Sequence, residues 1–112
     1  MIARKNRFRG HGSLKFVYQK GRVTRGQFCM IKSCVNPRRT IYRAAVVVSR
    51  KVHKSAVVRN RIRRRIYEVI RQATITKNVD IVCVVFDERL ATVPADELSD
   101  LITGLLKKAD II

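Results

Sequence analysis

The chain has no tryptophan, only two prolines, and no acidic residue before Glu68. The last absence is the most restrictive. All eight Asp and Glu lie in residues 68–112, whereas 20 of the 25 Lys and Arg lie in residues 1–67. The first part is therefore +20 and the second −3, for a net charge of +17. Self-repulsion on that scale opposes compaction unless a polyanion offsets it. Nucleic acid is the expected partner, ahead of a membrane surface. No stretch reaches the roughly 18 uncharged apolar residues of a membrane-spanning helix. The charged N-terminus has no apolar segment behind it, so no secretory signal is expected. Cys29, Cys34 and Cys83 are odd in number and form neither a C-x-x-C nor a Cys/His cluster. Zinc is therefore not expected, and the three read as reduced core thiols of a cytoplasmic protein. His11 and His53 have no Cys or acid at ligand spacing and read as surface or RNA-facing residues.

Catalytic groupings are missing as well. There is no carboxylate pair in the basic part, no credible Ser/His/Asp set and no Gly-rich phosphate loop. Asp80 and the pair Asp87-Glu88 flank an apolar run and read as solubilising or ion-pairing groups rather than a metal site. No catalytic residue and no metal ligand is expected in this chain.

What is present suffices for one domain. At 112 residues, 46% of them hydrophobic, the chain can bury a real core. Residues 1–12 have no apolar period and read as a basic flexible arm with Phe8 as an anchor, leaving 13–112 as a single domain. Ser13 can cap a short helix through Lys20, with Leu14, Val17 and Tyr18 on one face and Gly21 at its stop. Residues 22–35 favour strand, broken near Gly26, and Asn36-Pro37 opens a turn. The continuous run Ala44-Ala45-Val46-Val47-Val48 suits a central strand buried on both faces. Residues 79–86 form a second buried strand. Pro94, Asp96 and Glu97 open a final helix with Leu98, Leu101, Ile102, Leu105 and Leu106 as its stripe. The order is helix, strands, basic helix, strand, helix. That order implies an α+β fold, a two-layer α-β sandwich in which the basic helix is a crossover if the strands it joins are parallel.

The basic helix itself is the strongest signal. Val58, Ile62, Ile66, Val69, Ile70 and Ala73 recur at helical spacing from a cap at Ser55, while five arginines and Asn60 crowd into residues 59–65. The arginines sit where the helix dipole is already positive, so a compensating anion outside the helix is implied. Arginine outnumbers lysine six to none between Arg59 and Arg71. Bidentate phosphate contact and base stacking both favour the guanidinium. A membrane-surface helix fits poorly, because the apolar stripe is needed by the strands. A helix-turn-helix fits poorly because strands flank the segment. Single-stranded or structured RNA fits best. Arg7, Arg9, Arg50, Lys51, Lys54 and Arg63 add phosphate contacts, and Phe8, Phe16 and Tyr18 offer stacking surfaces.

The segment V-S-R-K-(x)7-R-N-R-I-R-R-R, Val48 to Arg65, resembles the signature of the bacterial ribonuclease P protein. The likeness extends to Asn6-Arg7-Phe8, to Leu14–Tyr18 with Gly21, and to the strand at 79–86. It implies a small basic subunit of a ribonucleoprotein whose RNA subunit carries the catalytic centre, with Mg2+ acting through that RNA. The complex removes the 5′ leader of precursor tRNA. The resemblance also implies a left-handed crossover for the basic helix. By position, Arg59, Asn60, Arg61, Arg64 and Arg65 would face the catalytic RNA, and Leu14, Tyr18, Ser49, Arg50 and Lys51 would line the leader cleft. One monomer per RNA, or a weak dimer, is expected. A ribosomal or other structural RNA-binding protein is the alternative.

Overall fold

The computed structural model describes residues 2–8 and 12–112. Helix α1 (Gly12–Lys20) stops at Gly21, whose N–H donates to the Val17 carbonyl at 2.8 Å. A Cβ at position 21 would lie 2.5 Å from that oxygen and 3.1 Å from the Ser33 nitrogen. Glycine is what lets the chain leave the helix hard against a neighbouring strand. Strands β1 (Arg22–Arg25), β2 (Cys29–Val35), β3 (Arg43–Val48) and β4 (Val79–Val85) form one sheet in the order β1-β2-β4-β3. β1/β2 and β2/β4 are antiparallel, and β3/β4 is parallel. Helix α2 (Ala56–Gln72) makes the crossover between β3 and β4, and α3 (Ala95–Lys108) closes the chain. A short 3-10 turn, Glu88–Ala91, lies in the connection before α3.

Strand periodicity sorts the side chains onto two faces. Cys29 and Ile31 of β2, Ala44, Val46 and Val48 of β3, and Val79, Ile81, Cys83 and Val85 of β4 all enter the main core. Against them pack Ile62, Ile66 and Ile70 of α2 and Leu98, Ile102, Leu105 and Leu106 of α3. Each fully buried isoleucine contributes about 1.5–3 kcal/mol, so the α2 stripe is enough to seat a helix that carries six arginines. The opposite face carries Met30, Lys32, Asp80, Val82, Val84, Arg43, Ala45 and Val47, in register across β2, β4 and β3. Helix α1 lies on this second face, against β2 and β4, with Val17 buried.

Two expectations are corrected. The run Ala44–Val48 is not a central strand; β3 is the sheet edge and β4 is central. The run is apolar because the edge is covered. Tyr67 reaches over from α2 and its hydroxyl accepts the Val46 N–H at 3.0 Å, while Arg7 forms an isolated parallel bridge with Ala44. Covering an edge in this way removes the exposed hydrogen-bonding row that invites aggregation. The second correction concerns the arm. Residues 2–8 pack instead of hanging loose: Ile2 is buried in the core, and Asn6 donates through Nδ2 to the Tyr42 carbonyl at 2.8 Å. One isoleucine in a charged stretch has no period to reveal it.

A buried ion pair joins β3 to β4 and gives this segment a seat on the sheet. Arg43 donates from Nε and an Nη to the two Asp80 oxygens at 2.9 and 2.7 Å, and Asn36 donates to Asp80 at 3.0 Å. The Arg43 and Asp80 side chains are only 9% and 6% exposed. Phe8 stacks on the Arg43 guanidinium, 4.6 Å from ring centroid to Cζ.

Candidate RNA interface

The first surface is the outside of α2. Ser55 caps it, its hydroxyl accepting the Val58 N–H at 3.4 Å, and no acid occupies the first turn. The helix's one carboxylate, Glu68, is committed to Arg71 at the far end. That hydrogen-bonded guanidinium holds the Glu68 carboxyl down to about 2. The N-terminal arginines are therefore not neutralised from within the helix.

Those arginines fall into two groups. Arg59 donates to the His53 and Lys54 carbonyls at 2.9 and 2.8 Å, tying down the basic loop before the helix. Arg65 donates to the Leu90 carbonyl at 2.7 Å and also to the Val93 carbonyl. Burial, then the nearby Arg61 charge, lowers the Arg65 guanidinium from its usual value. Both are expected on the RNA face by sequence, and in the structure both also brace the fold, because their long side chains reach backbone carbonyls beside the stripe. Asn60, Arg61 and Arg64 are exposed, and Arg63 is half-buried with an Nη on the Asn60 amide oxygen. Among the described residues no side-chain partner is found for Arg61 or Arg64. Val57, Asn60, Arg63 and Arg64 line a shallow hollow on this outer face. Cationic groups around the N-terminal end of a helix form an anion-binding surface.

The second surface is the open part of the sheet face not covered by α1. Tyr18, 42% exposed, and half-buried Leu14 come from α1. Exposed Ser49, Arg50 and Lys51 lie beyond the end of β3. Between these two groups lie half-buried Met30, Ala45, Val47 and Val84. The residues expected to line a cleft thus flank an apolar strip with cations at its end. Lys32 was missed by sequence reading. Its Nζ donates to the Tyr18 carbonyl at 2.8 Å and lies 3.9 Å from the Tyr18 ring centroid. The period-2 pattern of β2, with Ile31 turned to the core, was the available signal. His53 is committed locally: its Nδ1 accepts the Ser55 N–H at 3.0 Å. Lys54 and Arg7 are exposed, whereas Arg9 and His11 lie outside the described residues. No group of three or more metal-binding side chains occurs among the described residues.

A family model described as Ribonuclease P matches residues 2–110. The ribonuclease P protein component of a Pseudanabaena species is 33% identical over 113 residues, covering 100% of this chain and 97% of the relative. That of Thermus scotoductus is 40% identical over 94 residues, covering 84% of this chain and 54% of the relative. Among solved structures, a mutant RNase P protein of Staphylococcus aureus superposes with a TM-score of 0.84 at 22% identity, covering 96% of this chain and 91% of that one. The RNase P protein of Thermotoga maritima gives 0.80 at 23% identity, covering 91% and 96%. These structures share the fold, and the sequence matches span nearly the whole chain. The chain therefore belongs to the ribonuclease P protein family.

Proposed function

We propose that this chain is the protein subunit of ribonuclease P and that its two surfaces divide the work of tRNA 5′ maturation. The catalytic centre belongs to the RNA subunit. The outer face of α2, through Asn60, Arg61, Arg63 and Arg64, takes the phosphates of that RNA. The open sheet face takes the single-stranded 5′ leader of precursor tRNA, with Tyr18 and Leu14 at one side and Ser49, Arg50 and Lys51 at the other. Mg2+ acts through the RNA, and one copy of the chain serves each RNA in the cytoplasm. No helix among the described residues is long and apolar enough to cross a membrane.

The observation that carries this reading is the cationic face of α2, where Arg61 and Arg64 have no side-chain partner among the described residues although the same helix neutralises Arg71. Its test is cleavage of precursor tRNA by the cognate RNA at low magnesium, with and without the chain. The chain should accelerate cleavage; a cognate RNA indifferent to it sinks the proposal and leaves a structural RNA-binding protein. Binding should also be steeply salt-dependent. With about six phosphates neutralised, log K against log salt should slope near −4 to −5, at about 0.7–0.9 per contact. A slope near zero would contradict any polyanion surface.

A further inference from the structure

A ring–cation pair at the end of the open face has no structural task that requires an aromatic ring. β4 ends at Val85, which is buried in the core, so the next residue, Phe86, turns to the open face. Phe86 is 38% exposed, and the Arg25 guanidinium lies over its ring with Cζ 4.9 Å from the centroid. Arg25 pairs with Met30, and Met30 with Val84, so all three share the open face with Phe86. On the other side Val48 pairs with Val85, so Ser49 and Phe86 leave the sheet side by side. The acid that follows, Asp87, is already paired with Arg89.

We propose that the Arg25–Phe86 pair is a stacking platform for one unpaired nucleobase of the leader, whose phosphate is held by Arg50 or Lys51. The proposal rests on the reading of the open sheet face as the leader's surface and assigns that surface a specificity-determining position. The reason is chemical. An exposed phenyl ring with a guanidinium over it presents delocalised area to solvent, and aromatic rings and guanidinium groups are what splayed-out bases stack on. An apolar cover for Val84 needs only an aliphatic side chain. The pair also lies at the opposite end of the Met30–Val84 strip from the Tyr18–Lys32 contact. A leader crossing the strip therefore meets one ring–cation pair at each end. Stacking discriminates by area, so the platform favours a purine over a pyrimidine at its position.

The test uses the reconstituted holoenzyme and precursor tRNAs with single abasic sites stepped along the leader, mature tRNA being the control for binding outside the leader. In the wild type, one abasic position should weaken precursor binding on the order of tenfold. Phe86→Leu should weaken binding of the intact precursor by a similar factor and erase the penalty of that one abasic site, while Phe86→Trp retains both. If Phe86→Leu leaves intact-precursor binding unchanged while Tyr18→Ala or Lys51→Ala weakens it, the platform is refuted and the leader surface stands. If none of these variants, nor removal of the leader, changes affinity, the leader surface itself is refuted. Should Phe86→Leu fail to fold, fluorophenylalanine in the unmutated chain gives the same answer by 19F-NMR. The position-86 resonance should shift on leader binding and return when the abasic leader is used; a resonance that does not move refutes the platform.

Discussion

Replacing Asp80 by alanine should lower the unfolding free energy of the protein by about 3–5 kcal/mol, the usual cost of stranding one member of a buried ion pair. Arg43 would be left with a nearly inaccessible charge, and Asn36 would lose its acceptor as well. A domain of this size has typically about 5–15 kcal/mol in total, so the variant should give up a large share of its stability before RNA is added. The effect should also reach the N-terminus, because the guanidinium that Asp80 orients is the one Phe8 stacks on. Trypsin should therefore cut at Arg4, Lys5 or Arg7 sooner than in the wild type. Urea unfolding followed by circular dichroism measures the first effect and timed proteolysis the second. A loss below about 1 kcal/mol would mean that water screens the pair in solution. Replacing both partners together, Arg43→Met with Asp80→Val, should recover much of the loss, since an apolar pair removes both desolvation costs.

The legible parts of the fold are those written in a period. The α2 stripe showed itself at i, i+4 and i+8, and Ile62, Ile66 and Ile70 are the residues the helix buries. The cap at Ser55, the stop at Gly21 and the strand through Ile81 and Cys83 each carry a local chemical reason. The edge position of β3 was not legible, because Tyr67 lies 21 residues from Val46 and makes an edge strand look central. The ion pair was hidden for the same reason: Arg43 and Asp80 are 37 residues apart, and in sequence Asp80 is simply an acid beside an apolar run. At the site, sequence located the arginine cluster but could not divide it. That Arg65 bends back to carbonyls depends on the Leu90–Val93 turn, which only the tertiary arrangement brings near.

That division yields the second large effect. Arg61→Ala with Arg64→Ala should weaken binding to the ribonuclease P RNA about 10- to 100-fold at moderate salt, and should flatten the salt slope by about 1.4–1.8, since each lost phosphate contact removes about 0.7–0.9. Both side chains are exposed, so the melting temperature of the free protein should stay within a degree or two or rise, as like-charge repulsion in a +17 chain is relieved. Arg65→Ala should behave in the opposite way. It deprives the Leu90 and Val93 carbonyls of their donor, and losing two charge-assisted hydrogen bonds at a half-buried site should cost about 2 kcal/mol of stability. RNA affinity measured on the folded fraction should then fall by less than in the double variant, with a slope change below one contact. Filter binding across a salt series, alongside urea unfolding of the same preparations, separates the two roles. An Arg65→Ala protein of wild-type stability but broken RNA binding would return Arg65 to the RNA face and overturn this division of the helix.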